Sequence, residues 1–159
     1  MIRTNNSTLR SGVSRLSPVV ELRQSLASRV ADISPFVDQL MRFLRPLIGE
    51  PDTKDGCDID FEIALGEAIA NAVIHGNQEN PEKRVYVNCQ CMEGEIAITV
   101  KDDGEGFDAS SLPDPTDKAH VLLTHGRGIR LMQMLMNDVE FQENGTKVRM
   151  RKQLRRRAG

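Results

Sequence analysis

Glu67 and Asn71 stand four residues apart in the stretch EIALGEAIANAVIHGN (residues 62–77), and His75 follows four further on. On a helix all three lie on one side, a turn apart. A carboxylate beside an amide oxygen can act as a base next to a cation, and the amide is a neutral ligand suited to Mg²⁺ held mostly by phosphates and water. The bland alternative is a buried polar pair that caps a loop, since short motifs recur by chance. A second group is Asp102-Asp103-Gly104-Glu105-Gly106. A carboxylate at a strand end can accept a hydrogen bond from an exocyclic amine such as adenine N6, and the glycines allow backbone to approach a ligand closely. A plain acidic turn fits the same residues. A calcium loop fits them poorly, because the oxygen spacing of an EF-hand is missing. The third group is Gly126-Arg127-Gly128 ahead of an apolar periodic run. Glycines at a helix start leave N–H groups for phosphate oxygens, and Arg127 adds a cation; a hinge with a surface arginine is the other reading. Thr146, after Asn144-Gly145, could bring a hydroxyl to the same pocket.

These residues need elements to hold them. Residues 62–77 are good helix formers with no internal proline. Phe61, Leu65, Ala68, Ile69 and Ala72 form one apolar stripe, and Ile63, Ala70 and Ile74 a second, so the helix is expected to be buried nearly all round. A strand is expected within 18–28. Ser34-Pro35 reads as an N-cap with proline at the first helical position, opening a helix over 35–48 whose last turn Pro46 should distort. Residues 49–56 read as a loop. Period-two alternation over 84–92 and 95–101, split by Glu93-Gly94, predicts a hairpin. The connection 102–126 has the length of a lid or binding loop. A helix over 127–137 precedes a second hairpin, 138–143 and 146–153, turned at Asn144-Gly145. The order of elements predicts an α+β two-layer sandwich, with helices against a mainly antiparallel sheet.

Composition narrows the function. The 159 residues fit one domain. Residues 149–157 carry six Arg or Lys and no acid; against a net charge of −2, the rest of the chain sums to −8. So acidic a body is a poor binder of nucleic acid. Trp is absent and Tyr86 is the single tyrosine, which leaves no platform for stacking bases. No run is long enough to span a membrane. Three cysteines and no leader-like N-terminus predict a reducing cytoplasm. Cys89 and Cys91 share a strand face but lack a third ligand. His75, His120 and His125 are not at metal-ligand spacing. Met132, Met134 and Met136 read as core filler.

Taken in order, E-x-x-x-N on a helix, D-x-G-x-G after a strand, a lid, G-x-G at a helix, and G-T on a last strand resemble the GHKL ATPase superfamily. The short chain and the run EAIANAVIHGN are most similar to bacterial anti-sigma factor serine kinases. The resemblance implies a Bergerat ATP-binding fold over 18–152; residues 1–17, rich in Ser, Thr, Asn and Arg, read as a mobile extension and 153–159 as a basic tail. It implies Asn71 on Mg²⁺, Glu67 as general base, and Asp102 on the adenine amine with Gly104 and Gly106 shaping the wall. Gly126, Arg127 and Gly128 would line the phosphates, Thr146 would support the adenine side, and His75 and Gly76 would border the pocket. The implied activity is Mg·ATP-dependent phosphorylation of a STAS-domain anti-sigma factor antagonist by a homodimer that also binds a sigma factor or other regulated protein. The alternative is a nucleotide-dependent binding module with little kinase activity. The first glycine box is unusually acidic, with Asp102, Asp103, Glu105 and Asp108 close together, and the basic tail and the N-terminal extension lie outside the family pattern.

Overall fold

The computed structural model describes residues 2–4, 19–48, 57–92, 94–108 and 124–154. Six strands form one sheet: β1 Ile2–Thr4, β2 Val20–Ala27, β3 Arg84–Met92, β4 Glu95–Asp102, β5 Asp138–Gln142 and β6 Lys147–Gln153. They lie in the order β1-β2-β3-β4-β6-β5, every neighbouring pair antiparallel. Among the described residues three α-helices accompany them: α1 Ile33–Ile48, α2 Cys57–Ala70 and α3 Thr124–Leu135. The expected α+β two-layer sandwich is the fold found.

The core forms because alternation in the strands meets helical stripes. Register places Leu22, Cys89, Ile98 and Met150 in one row and Val87, Val100 and Val148 in the next, all on one face and all buried. Against that face pack Leu40, Met41 and Leu44 of α1, Phe61, Leu65 and Ile69 of α2, and Ile129, Met132 and Met136 around α3. The opposite face is polar, with Arg23, Asn88, Thr99 and Arg149 in register across β2, β3, β4 and β6.

Several expectations need correction. Residues 2–4, placed in a mobile extension, pair with β2, Ile2 opposite Leu22. Gln153 closes β6, as the strand expected over 146–153 has it, so the basic tail begins after it rather than at it. A short 3-10 turn, Val30–Asp32, runs into α1, so Ser34-Pro35 sit inside the first turn rather than at its cap. Proline is tolerated there because first-turn N–H groups have no helical partner. Pro46 lies in the last turn, and the helix continues to Ile48. α2 starts at Cys57, five residues early, with Asp58 and Asp60 in its first turn, where acids suit the helix dipole. It is not apolar-buried all round: Ile63 is 39% exposed, because α1, α3 and the sheet together cover only part of its circumference. Met134 is 71% exposed, on the side of α3 away from Met132 and Met136. The expected loop 49–56, most of the expected lid (109–123) and His120 lie outside the described residues.

Candidate active site

The decisive local event is a change of winding after α2. Asn71–Gly76 continue it as a wider π-helical turn, closed by the Asn77 N–H on the Ala72 carbonyl at 2.8 Å. Such turns cost regular hydrogen bonding and mark functional sites. Here the turn carries Asn71, His75 and Gly76 onto one cavity of about 340 Å³. Asp102, Gly106 and Thr146 line the same cavity, so six of the expected residues meet. Its volume is within the range of small-molecule sites.

Asp102 ends β4 and is buried. Its N–H donates to the Thr146 carbonyl at 2.9 Å, and its Oδ1 accepts the Gly104 N–H at 2.8 Å. The carboxylate fills space that side chains would otherwise take. A Cβ on Gly76 would overlap it, and one on Gly104 would stand 2.7 Å from Oδ1. Burial raises the Asp102 pKa above its ordinary value, the Gly104 N–H opposes this, and the Asp103 charge adds to the rise. A carboxylate held this way has an oxygen ready for a ligand donor.

Thr146 serves the site differently from expectation. Its hydroxyl donates to the Glu143 carbonyl at 2.8 Å, within the β5–β6 turn, while its carbonyl holds Asp102. That turn has three successive left-handed residues, Glu143, Asn144 and Gly145. The Glu143 carboxylate is paired with Lys101 and Lys147, and these partners lower its pKa. Asn144 accepts the Phe107 N–H at 2.7 Å, joining the two glycine-containing loops into one wall.

Glu67 does not line the cavity; it sits against Gly128 of α3, beside Asn71. α3 begins at Thr124, so Gly126 and Arg127 fall within its first turn and Gly128 is its fifth residue, buried under Glu67. The helix therefore starts three residues before the expected boundary. The free N–H groups of its first turn belong to 124–127, not to a stretch opening after Gly128. Arg127 is exposed.

Sequence reasoning missed Phe107 and Phe141, an edge-to-face pair with ring centroids 5.4 Å apart that closes one side of the cavity. It also missed Gln78 and Glu105 at the lining. Phe107 directly follows Gly106, which is the one signal that could have found it.

Residues 26–152 match the model of the histidine kinase-like ATPase domain. The chain belongs to that family. As a histidine kinase-like ATPase domain it is an ATP-binding protein. Its relatives include an anti-sigma F factor of Heyndrickxia coagulans, 36% identical over 129 residues, covering 77% of this chain and 80% of the relative. Anti-sigma F factors of Oceanobacillus iheyensis and Bacillus subtilis are 30% and 29% identical over 138 residues, each covering 83% of this chain and 82% of the relative. Among the described residues no helix is long and apolar enough to cross a membrane.

Proposed function

We propose that this histidine kinase-like ATPase domain is an anti-sigma factor and a serine/threonine-protein kinase. Its substrate would be a STAS-domain antagonist, with a sigma factor or other regulated protein as the competing partner, in a cytoplasmic homodimer. The observation that carries the reading is that Asn71, with Glu67 beside it at Gly128, lines the same cavity as a buried, one-sidedly bonded Asp102. The names of its relatives support the anti-sigma role.

Asp102 accepts the adenine amine, with Gly76 and Gly104 leaving room for its carboxylate. The first turn of α3, with Gly126 and Arg127, would offer N–H groups and a cation to the phosphates. Asn71 fits Mg²⁺ as a neutral oxygen ligand, a donor set that leaves the remaining positions to phosphates and water. Bound there, the ion supplies neutralisation of phosphate charge. Glu67 takes the proton of the acceptor hydroxyl. The hydroxyl oxygen bonds to the γ-phosphorus, the bond from that phosphorus to the bridging oxygen breaks, and ADP leaves.

The test is capture from native lysate by purified protein held in Mg·ATP or Mg·ADP, with phosphosites read by mass spectrometry and Glu67→Ala run alongside. A STAS protein phosphorylated on Ser or Thr by wild type, and not by Glu67→Ala, supports the reading. Equal phosphorylation by both removes the base assignment. Nucleotide-dependent capture without any phosphosite leaves a binding module.

A further inference from the structure

Asn77 follows the π-helical turn and is 0% exposed. Its side chain is fully engaged. Nδ2 donates to Ser28 Oγ at 2.8 Å and to the Arg84 carbonyl at 2.9 Å, and Oδ1 accepts the Asp103 N–H at 2.9 Å. One amide thus ties together the end of β2, the start of β3 and the turn after β4. The surroundings reinforce it. Ser28, also 0% exposed, donates its hydroxyl to the Lys83 carbonyl at 3.0 Å, and Asp103 Oδ2 accepts the Arg84 N–H at 3.0 Å.

The consequence lies one residue away. Asp103 is bonded directly to Asp102, so the grip on its N–H fixes the peptide that leaves Asp102. The Thr146 carbonyl fixes Asp102 on its other side, and Gly104 fixes its carboxylate. Asn77 also adjoins Gly76, against which that carboxylate packs. No other side chain of this length gives two donors and one acceptor together: Asp lacks the donors, and Ser and Thr are too short. We infer that Asn77 is a positioning residue for base recognition, setting the Asp102 carboxylate where it selects a purine bearing a 6-amino group.

The inference rests on the adenine role given to Asp102 above, and the experiment separates the two. Binding of ATP and of purine riboside triphosphate, which carries hydrogen in place of the amine, is measured by calorimetry on the full chain. Wild type is expected to prefer ATP by about tenfold or more, since the analogue leaves a buried acceptor unpaired. Asn77→Ala is expected to lower that preference to about threefold or less, whatever happens to affinity overall. A merely structural role would weaken both nucleotides together and leave the ratio intact; that result overturns the inference and spares the role of Asp102. A wild type that does not discriminate overturns both. Should Asn77→Ala fail to fold, Ser28→Ala removes one acceptor of the same amide. A reduced ratio there supports the inference, and an unchanged one overturns it.

Discussion

Glu67 and Gly128 meet across the α2–α3 interface with no room for another carbon between them. A Cβ on Gly128 would run into Glu67 Oε2, and would stand 3.4 Å from Glu67 Cδ and 3.6 Å from Asn71 Nδ2. The atom in the way is the free end of a flexible side chain. Gly128→Ala is therefore expected to fold, with stability unchanged or raised by up to about 1 kcal/mol from helix propensity. What moves is the carboxylate. Phosphotransfer is expected to fall by about tenfold or more, within what a positioned base contributes, with ATP affinity kept within a few-fold. Single-turnover phosphorylation set beside thermal melting reads both effects. A variant with full activity would show that the position of Glu67 is unimportant.

Asp102 sets stability against binding. Burial holds its pKa above the ordinary 3.8, so the folded protein keeps this proton more tightly than the unfolded chain does. Its ionisation therefore opposes folding: its contribution is most favourable below the unfolded value and is lost as the pH rises through the raised one. Asp102→Asn removes that ionisation. At pH 7 its Tm is expected to be no lower than wild type, while ATP affinity drops by about tenfold or more. In wild type, ATP affinity should weaken on acidification, starting above the ordinary aspartate range. Calorimetry over a pH series checks this, and flat affinity down to pH 4 would remove the carboxylate from the adenine contact.

What the sequence made legible follows from the range of each interaction. The two hairpins, β2, α1 and the order of elements rest on local alternation and turn residues, and they are found nearly where expected. The start of α3 was misplaced because Gly126 and Gly128 are poor helix formers. Gly128 is there for Glu67, a contact 61 positions away that no local pattern announces. β1 was lost because three residues in a polar stretch give no period. The winding change at Asn71 is invisible to a fixed 100° wheel, yet Asn71 and His75 still reach the cavity, so the helical spacing was the right guide for an incomplete reason. The Phe107–Phe141 pair joins the loop after β4 to β5, a contact across 34 positions that no local pattern announces.

Gly106 holds the cavity wall by its backbone. Its φ of 83° is left-handed, and a Cβ there would strike the Asn144 carbonyl, which is itself bound to the Phe107 N–H. Backbone on both sides cannot yield as the Glu67 side chain can. Gly106→Ala is expected to cost about 1–3 kcal/mol of stability and to weaken ATP and ADP alike by separating the two loops. Denaturant unfolding and nucleotide titration test this. A loss confined to one nucleotide would contradict a shared wall.

Lys152 provides a control at the far end of the α2–α3 pair. From β6 its Nζ reaches Asp60 Oδ2 of α2 at 2.6 Å and also donates to the Leu135 carbonyl at the end of α3, and both charged partners are largely covered. Lys152→Ala leaves a half-buried carboxylate and a helix-terminal carbonyl without their donor. The expected loss is about 1–3 kcal/mol of stability. Arg45–Glu62 spans α1 and α2 at 3.2 Å with both side chains near half exposed, and Arg45→Ala should cost about 0–1 kcal/mol. Because Asp60 lies seven residues, about two turns, before Glu67 on α2, Lys152→Ala should leave phosphotransfer at a temperature well below its Tm within about twofold of wild type. Urea melts of the two variants, with kinase assays beside them, separate the effects. A large kinetic loss in Lys152→Ala would mean that the two helices move as one body and that the Glu67–Gly128 contact depends on the tether at their other end.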